Sequence, residues 1–173
     1  MSNLENIKQR AAHLIAVDAN LSLMRETWAT TTEPFLVKTL LEIQKNIPLL
    51  WSVSRNEVRK NMEGVELVMN TVSSGISEGG VVAPKIIAKI GAKIIFAQNY
   101  HGHVCVMTQM PTLEGLMQPS APNLHAIVPP EKVDETLVMT FVEKFLIELA
   151  DWEDGETSDN SEHRTIGFSK KKA

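Results

Sequence analysis

Cysteine is almost absent from this sequence: Cys105 is the single one in 173 residues. One thiol excludes an intrachain disulfide framework. It also excludes zinc modules built on four cysteines, or on a cysteine pair with a histidine pair. Aromatic residues are scarce, at 5%, so a strand-binding surface of interleaved aromatic and basic side chains has little to draw on. No uncharged apolar run reaches the roughly 18 residues of a membrane span. The nearest stretch, Val81 to Ala97, is broken by Lys85, Lys89 and Lys93. The opening Met1-Ser2-Asn3-Leu4-Glu5 has an early acid and no apolar region of about 7–15 residues, so no secretory signal is expected. Neither a myristoylation glycine nor a prenylation cysteine is in place. With the lone thiol, these features point to a reducing, cytoplasmic setting. Catalytic signatures are missing too: there is no HExxH, no CxxC, no phosphate loop and no nucleophile elbow.

What remains is an ordinary globular composition, 43% hydrophobic and 22% charged. The chain is long enough to bury a core without staples and short enough for one domain. Seventeen basic against 21 acidic residues leave a net charge of −4, which argues against nucleic acid as the partner. Residues 1–154 are expected to form the globular domain. From Asp151 acids crowd together, the chain closes on Lys170-Lys171-Lys172, and residues 155–173 hold too little apolar surface to offset their ordering entropy.

Hydrophobic spacing reads mainly as helix. Ser2 and Glu5 are spaced as a capping box, and Leu4, Ile7, Ala11 and Leu14 make a stripe that Leu21, Met24 and Trp28 prolong. Thr32-Glu33-Pro34 is a start signal, and Leu36, Leu40, Ile43 and Ile47 follow it until Pro48. Ser54 to Glu57 reads as another capping box. Behind it Val58, Met62, Val65, Met69, Val72 and Ile76 recur at alternating steps of 4 and 3, a heptad seam. Lys85 to Gly91 is read as helix, Ala92–Gln98 and His103–Thr108 as a hairpin over Asn99–Gly102, and Leu124–Val128 as a third strand. A last helix after Pro129-Pro130 is apolar over a wide arc. The expected fold is α+β, a mainly helical single domain of four to five helices with a small antiparallel β-hairpin or three-stranded sheet.

Two functional readings follow. The first is a non-enzymatic interaction protein, an adaptor, chaperone-like or assembly factor, acting through apolar helix surfaces on a protein partner and self-associating as a homodimer. Its candidate partner-binding residues are Met62, Val65 and Met69 on the seam, with Lys85, Lys89 and Lys93 on a basic stripe. That stripe also suits an anionic membrane surface, a reading ranked below a solvated helix face. The second is a small metal-dependent or thiol enzyme. His101, His103 and Cys105 alternate, and His125 could complete a metal set. Cys105 with His103 and Glu114 would be the catalytic group. No cofactor is expected under the first reading.

Overall fold

The computed structural model describes residues 3–57, 60–80 and 82–155. Eight strands form two antiparallel sheets. The larger has the order β1 (Trp51–Asn56), β2 (Gly64–Met69), β5 (Lys93–Gln98), β6 (Val104–Gln109), β8 (Asn123–Val128). The smaller has the order β3 (Val72–Glu78), β4 (Lys85–Ile90), β7 (Thr112–Leu113). A helical rod comes first: α1 (Asn3–Thr27), a π turn (Trp28–Thr32) and α2 (Glu33–Asn46) follow one another without a break. A short 3-10 turn (Pro130–Lys132) leads to α3 (Glu135–Asp154). The protein is thus α+β and sheet-rich. The expectation of a mainly helical domain with four to five helices is overturned.

The heptad seam is the instructive error. Residues 64–69 and 72–78 are strands, not a helix. Every step of 4 is an even number, and even steps keep side chains on one face of a strand as well as of a helix. Val65 and Met69 share the core face of β2, and Val72 and Ile76 share one face of β3. The steps of 3, which should have betrayed the strands, fall where the chain is not extended in a ladder. One spans Met62 and Glu63 in the loop before β2, and the other the bend at Asn70-Thr71. Val58 lies outside the described residues. Valine, threonine and isoleucine are frequent here, and their branched Cβ favours the pleated surface.

The same correction applies to Lys85–Gly91. It is strand β4 over Lys85–Ile90, so the lysines alternate with the isoleucines instead of facing away from all of them. Lys85, Ile87 and Lys89 share one side, while Ile86 and Ile90 share the other and lie exposed. The hairpin over Asn99–Gly102 is present. Asn99 N–H donates to His103 O at 2.8 Å, and β5 pairs with β6 from Gln98↔Val104 onward. β8 pairs with β6 as the third strand of that group.

One sheet face carries the core. Val65, Leu67, Ile94, Phe96, Val104 and Val106 point at Leu36, Leu40 and Ile43 of α2 and Val138, Val142 and Phe145 of α3. Trp28 and Trp51, both buried, close the cluster. The threonine expected to cap α2 does not start a helix. Thr32 has helical backbone angles, and its hydroxyl donates to Pro130 O at 3.1 Å. In a regular α-turn the Pro34 ring would crowd the carbonyl of Thr30, and proline has no N–H to give. The π turn, marked by Glu33 N–H donating to Trp28 O, widens the helix just ahead of the proline and lets the rod run through.

The two sheets part at a bend where strands β2–β3 and β4–β5 cross. Met69 N–H donates to Ala92 O at 2.8 Å. A Cβ on Gly91 would lie 1.9 Å from Met69 O. Replacing Gly91 with alanine is expected to destabilise the fold by about 1–3 kcal/mol, because the obstacle is backbone. Gly80→Ala, where a Cβ meets nothing within 4 Å, is expected to stay within about 0.5 kcal/mol of the parent. Urea unfolding of both variants checks this; equal midpoints would mean that the crossing is looser than described.

Candidate functional site

The helical rod leaves the body at its first segment. α1 buries one residue, Met24, which sits with Leu21 over the β5–β6 turn. Gly102 permits that approach, since its φ is +80° and a Cβ would lie 3.0 Å from Met24 Cβ. Arg25 Nη2 donates to Tyr100 O at 3.4 Å, and Gln98 Nε2 to Gly102 O at 3.2 Å. N-terminal to Leu21 every described residue of α1 is exposed. Leu4, Ile7, Leu14 and Ile15 are 60, 62, 69 and 72% exposed. With Ala11 they occupy an arc of about 100° on the helix, by the 3.6-residue period. Lys8 and Arg10 flank that arc on its two sides. The stripe is the one the sequence showed, yet no part of this chain covers its first half.

A second uncovered apolar surface lies between α2 and α3. The two helices diverge over the sheet and leave a groove of about 500 Å³ lined by Ile43, Ile47, Met139, Val142, Leu146 and Ile147. Its rim carries Glu143. α3 as a whole bears Glu135, Glu143, Glu148, Asp151, Glu153 and Asp154 against the single base Lys144.

A more polar cavity, about 400 Å³, opens beside the π turn and is lined by Arg25, Trp28, Glu33, Lys60, Glu63 and Gln98, among others. Its charges are largely spoken for. Glu33 Oε1 lies 3.1 Å from Arg55 Nε, and Glu63 Oε1 accepts from Asn61 N–H at 2.8 Å. Arg25 Nε and Trp28 Nε1 lack a partner, but both are buried. They belong to the packing under the cavity and offer nothing to a molecule inside it.

The histidines and the cysteine are dispersed. Val104, Val106 and Thr108 of β6 face the helices, so Cys105 faces the other way. His125 is on the helix side, 2.7 Å from Thr108 Oγ1 and 3.4 Å from Glu148 Oε2. The sheet therefore separates Cys105 from His125. His101 is exposed in the turn, its ring edge-on to Tyr100, and Glu114 is exposed after β7. His103 N–H donates to Asn99 Oδ1 at 3.1 Å. Among the described residues no group of three or more His, Cys, Asp or Glu is placed to hold a metal ion. Burial pushes the Cys105 thiol up, and a hydrogen bond with the Asn99 side chain opposes that.

The partner-binding candidates are likewise apart. Val65 is in the core, Met69 is half-buried and Met62 is exposed in a loop. Lys85 is exposed, Lys89 Nζ lies 2.6 Å from Glu153 Oε1, and Lys93 Nζ lies 3.2 Å from Glu66 Oε1. Of the six, Met69 and Lys89 line a common cleft of about 290 Å³, with Leu49, Leu50 and Leu149 among its walls. The α2–α3 groove was missed in the sequence. Its signal was there in the wide apolar arc of α3, which is broader than one sheet can cover.

Thr108, His125 and Glu148 form a polar cluster under α3. The Thr108 hydroxyl has one proton. Donated to Glu148 Oε2 at 2.9 Å, it leaves the oxygen to accept from His125 Nε2–H. The cluster ties α3 to β6 and β8 and thereby fixes one wall of the groove.

No protein-family model, no curated protein and no solved structure matches this chain.

Two measurements test this description. Thr108→Val leaves His125 and Glu148 without the shared hydroxyl and is expected to cost about 1–3 kcal/mol in urea unfolding; a change below about 0.5 kcal/mol would show that the cluster is not closed. Cys105 holds its proton more tightly folded than unfolded, so its contribution to stability is complete below the ordinary thiol pKa and declines as pH rises through it. Alkylation with iodoacetamide at pH 8 should accordingly be slower in the native protein than in urea. Equal rates would place the thiol in solvent.

Proposed function

We propose that this protein is a non-enzymatic interaction protein of the cytosol, an adaptor or assembly factor, that engages a protein partner through apolar helix surfaces. One observation carries the reading: α1 extends the helical rod beyond the body and holds Leu4, Ile7, Leu14 and Ile15 in solvent. An isolated helix segment of this length is marginal in water, and helical stability normally comes from packing one face. Large apolar side chains gathered on one side of an unsupported helix are the signature of an interaction surface. The position of the apolar groove on the opposite end of the rod supplies a second such surface. No helix among the described residues is long and apolar enough to cross a membrane. That fits the cytosolic setting suggested by the lone cysteine.

Photo-crosslinking from α1 tests the reading. A photoreactive amino acid at Ile7 or Ile15 of the full chain, expressed in cells, is expected to give discrete protein adducts. The same group at His13, on the polar side, should give few. If positions 7, 15 and 13 label alike or not at all, α1 is not an interaction surface.

A further inference from the structure

We propose that the partner of α1 is a second copy of this chain, with the apolar stripe of each α1 seated in the α2–α3 groove of the other. This rests on the interaction reading above and names its occupant. Three features of the two surfaces agree.

The first is length. Leu4 to Ile15 on α1 and Met139 to Ala150 on α3 span the same number of residues, so stripe and groove wall each run about 16 Å. The second is chemistry. Large aliphatic side chains of the stripe meet an apolar groove lined by Ile43, Ile47, Met139, Leu146 and Ile147. Two helices approach to about 8–10 Å when such rows interlock. A third helix laid between α2 and α3 would complete the layer over the sheet.

The third is charge, and it separates this occupant from the obvious alternative, α1 against α1. The exposed half of α1 is flanked by Lys8 and Arg10, and its N-terminus is the positive end of the helix dipole. α3 is acidic along its length, with Glu143 on the groove rim. In the groove, each base of α1 meets acids. In a parallel α1 pair, Lys8 and Arg10 would meet their own copies.

A two-fold arrangement makes the contact twice, which brings it toward the roughly 1,000 Å² that a stable interface buries. The rod geometry allows the exchange. Because α1 continues α2 directly, it cannot fold back into the groove of its own chain without breaking the rod.

Sedimentation of the full chain at tens of micromolar is expected to give twice the chain mass of 19.2 kDa. Leu14→Glu in the stripe and Ile147→Glu in the groove should each raise the dimer dissociation constant at least about thirtyfold, the range of a central interface residue. Leu14 and Ile147 are 69 and 56% exposed, so circular dichroism should report an unchanged fold for both. His13→Glu should leave the dimer intact. Raising salt should weaken it, because opposite charges are screened. In a Cys105→Ala background, a chain carrying Ile15→Cys and a differently tagged chain carrying Ile147→Cys should cross-link to each other.

A monomer at that concentration overturns the proposal. So does a dimer that withstands both charged substitutions or tightens with salt. A monomeric chain whose Ile7 and Ile15 positions still label another protein in cells would overturn self-docking and leave the interaction reading standing. A monomer that labels nothing removes both.

Discussion

The continuity of the helical rod is the constraint on which this molecule turns. From Asn3 to Asn46 the backbone stays helical, and the one irregularity, the π turn at Trp28–Thr32, widens the rod without ending it. Pro34 accounts for the irregularity, since a regular helix would clash at that residue. Because the rod does not break, α2 and α1 share one direction. α2 is held to the sheet by Leu36, Leu40 and Ile43. α1 is therefore carried outward wherever α2 points, and its apolar stripe is left without a partner from its own chain.

The body supports this arrangement from below. Only one face of the five-stranded sheet is covered by helices, and only two helices cover it. Phe96 and Phe145 fill the centre of that layer, both completely buried. The second face is finished differently. Glu66, 7% exposed, is held by Lys93 at 3.2 Å, beside the buried Ile95. The crossing at Gly91 then turns the β3–β4 arm away from the main sheet, so the two sheets do not stack into a closed sandwich. The result is a platform with two helices, a groove between them, and a third helix displaced to one side.

The polar interior has a structural purpose. Thr108, His125 and Glu148 satisfy one another beneath α3, where an unpaired polar group would cost far more than a shared one gains. The cluster comes from β6, β8 and α3, so it sets the angle at which α3 leaves α2. His125, which the sequence offered as a metal ligand, works here as a donor to a hydroxyl. His101 and His103 stay at the turn, and Cys105 lies on the far side of the sheet.

The amphipathic stripe from Leu4 to Leu14, the helix from Glu33, the β5–β6 hairpin and the wide apolar arc of α3 are all legible in the sequence, because each depends on local periodicity or on turn chemistry within a few residues. The strands at 64–78 are not, because even steps satisfy a helix face and a strand face equally, and the odd steps fell in a loop and a bend. Neither is the sharing of partners. Whether Lys89 meets Glu153, or His125 meets Thr108, depends on residues 64 and 17 positions apart in the chain, and no local pattern encodes such distances. The sequence determined by itself that α1 is amphipathic. Only the tertiary structure decided that its stripe is uncovered, because exposure is set by where an unbroken rod carries the helix relative to the rest of the fold.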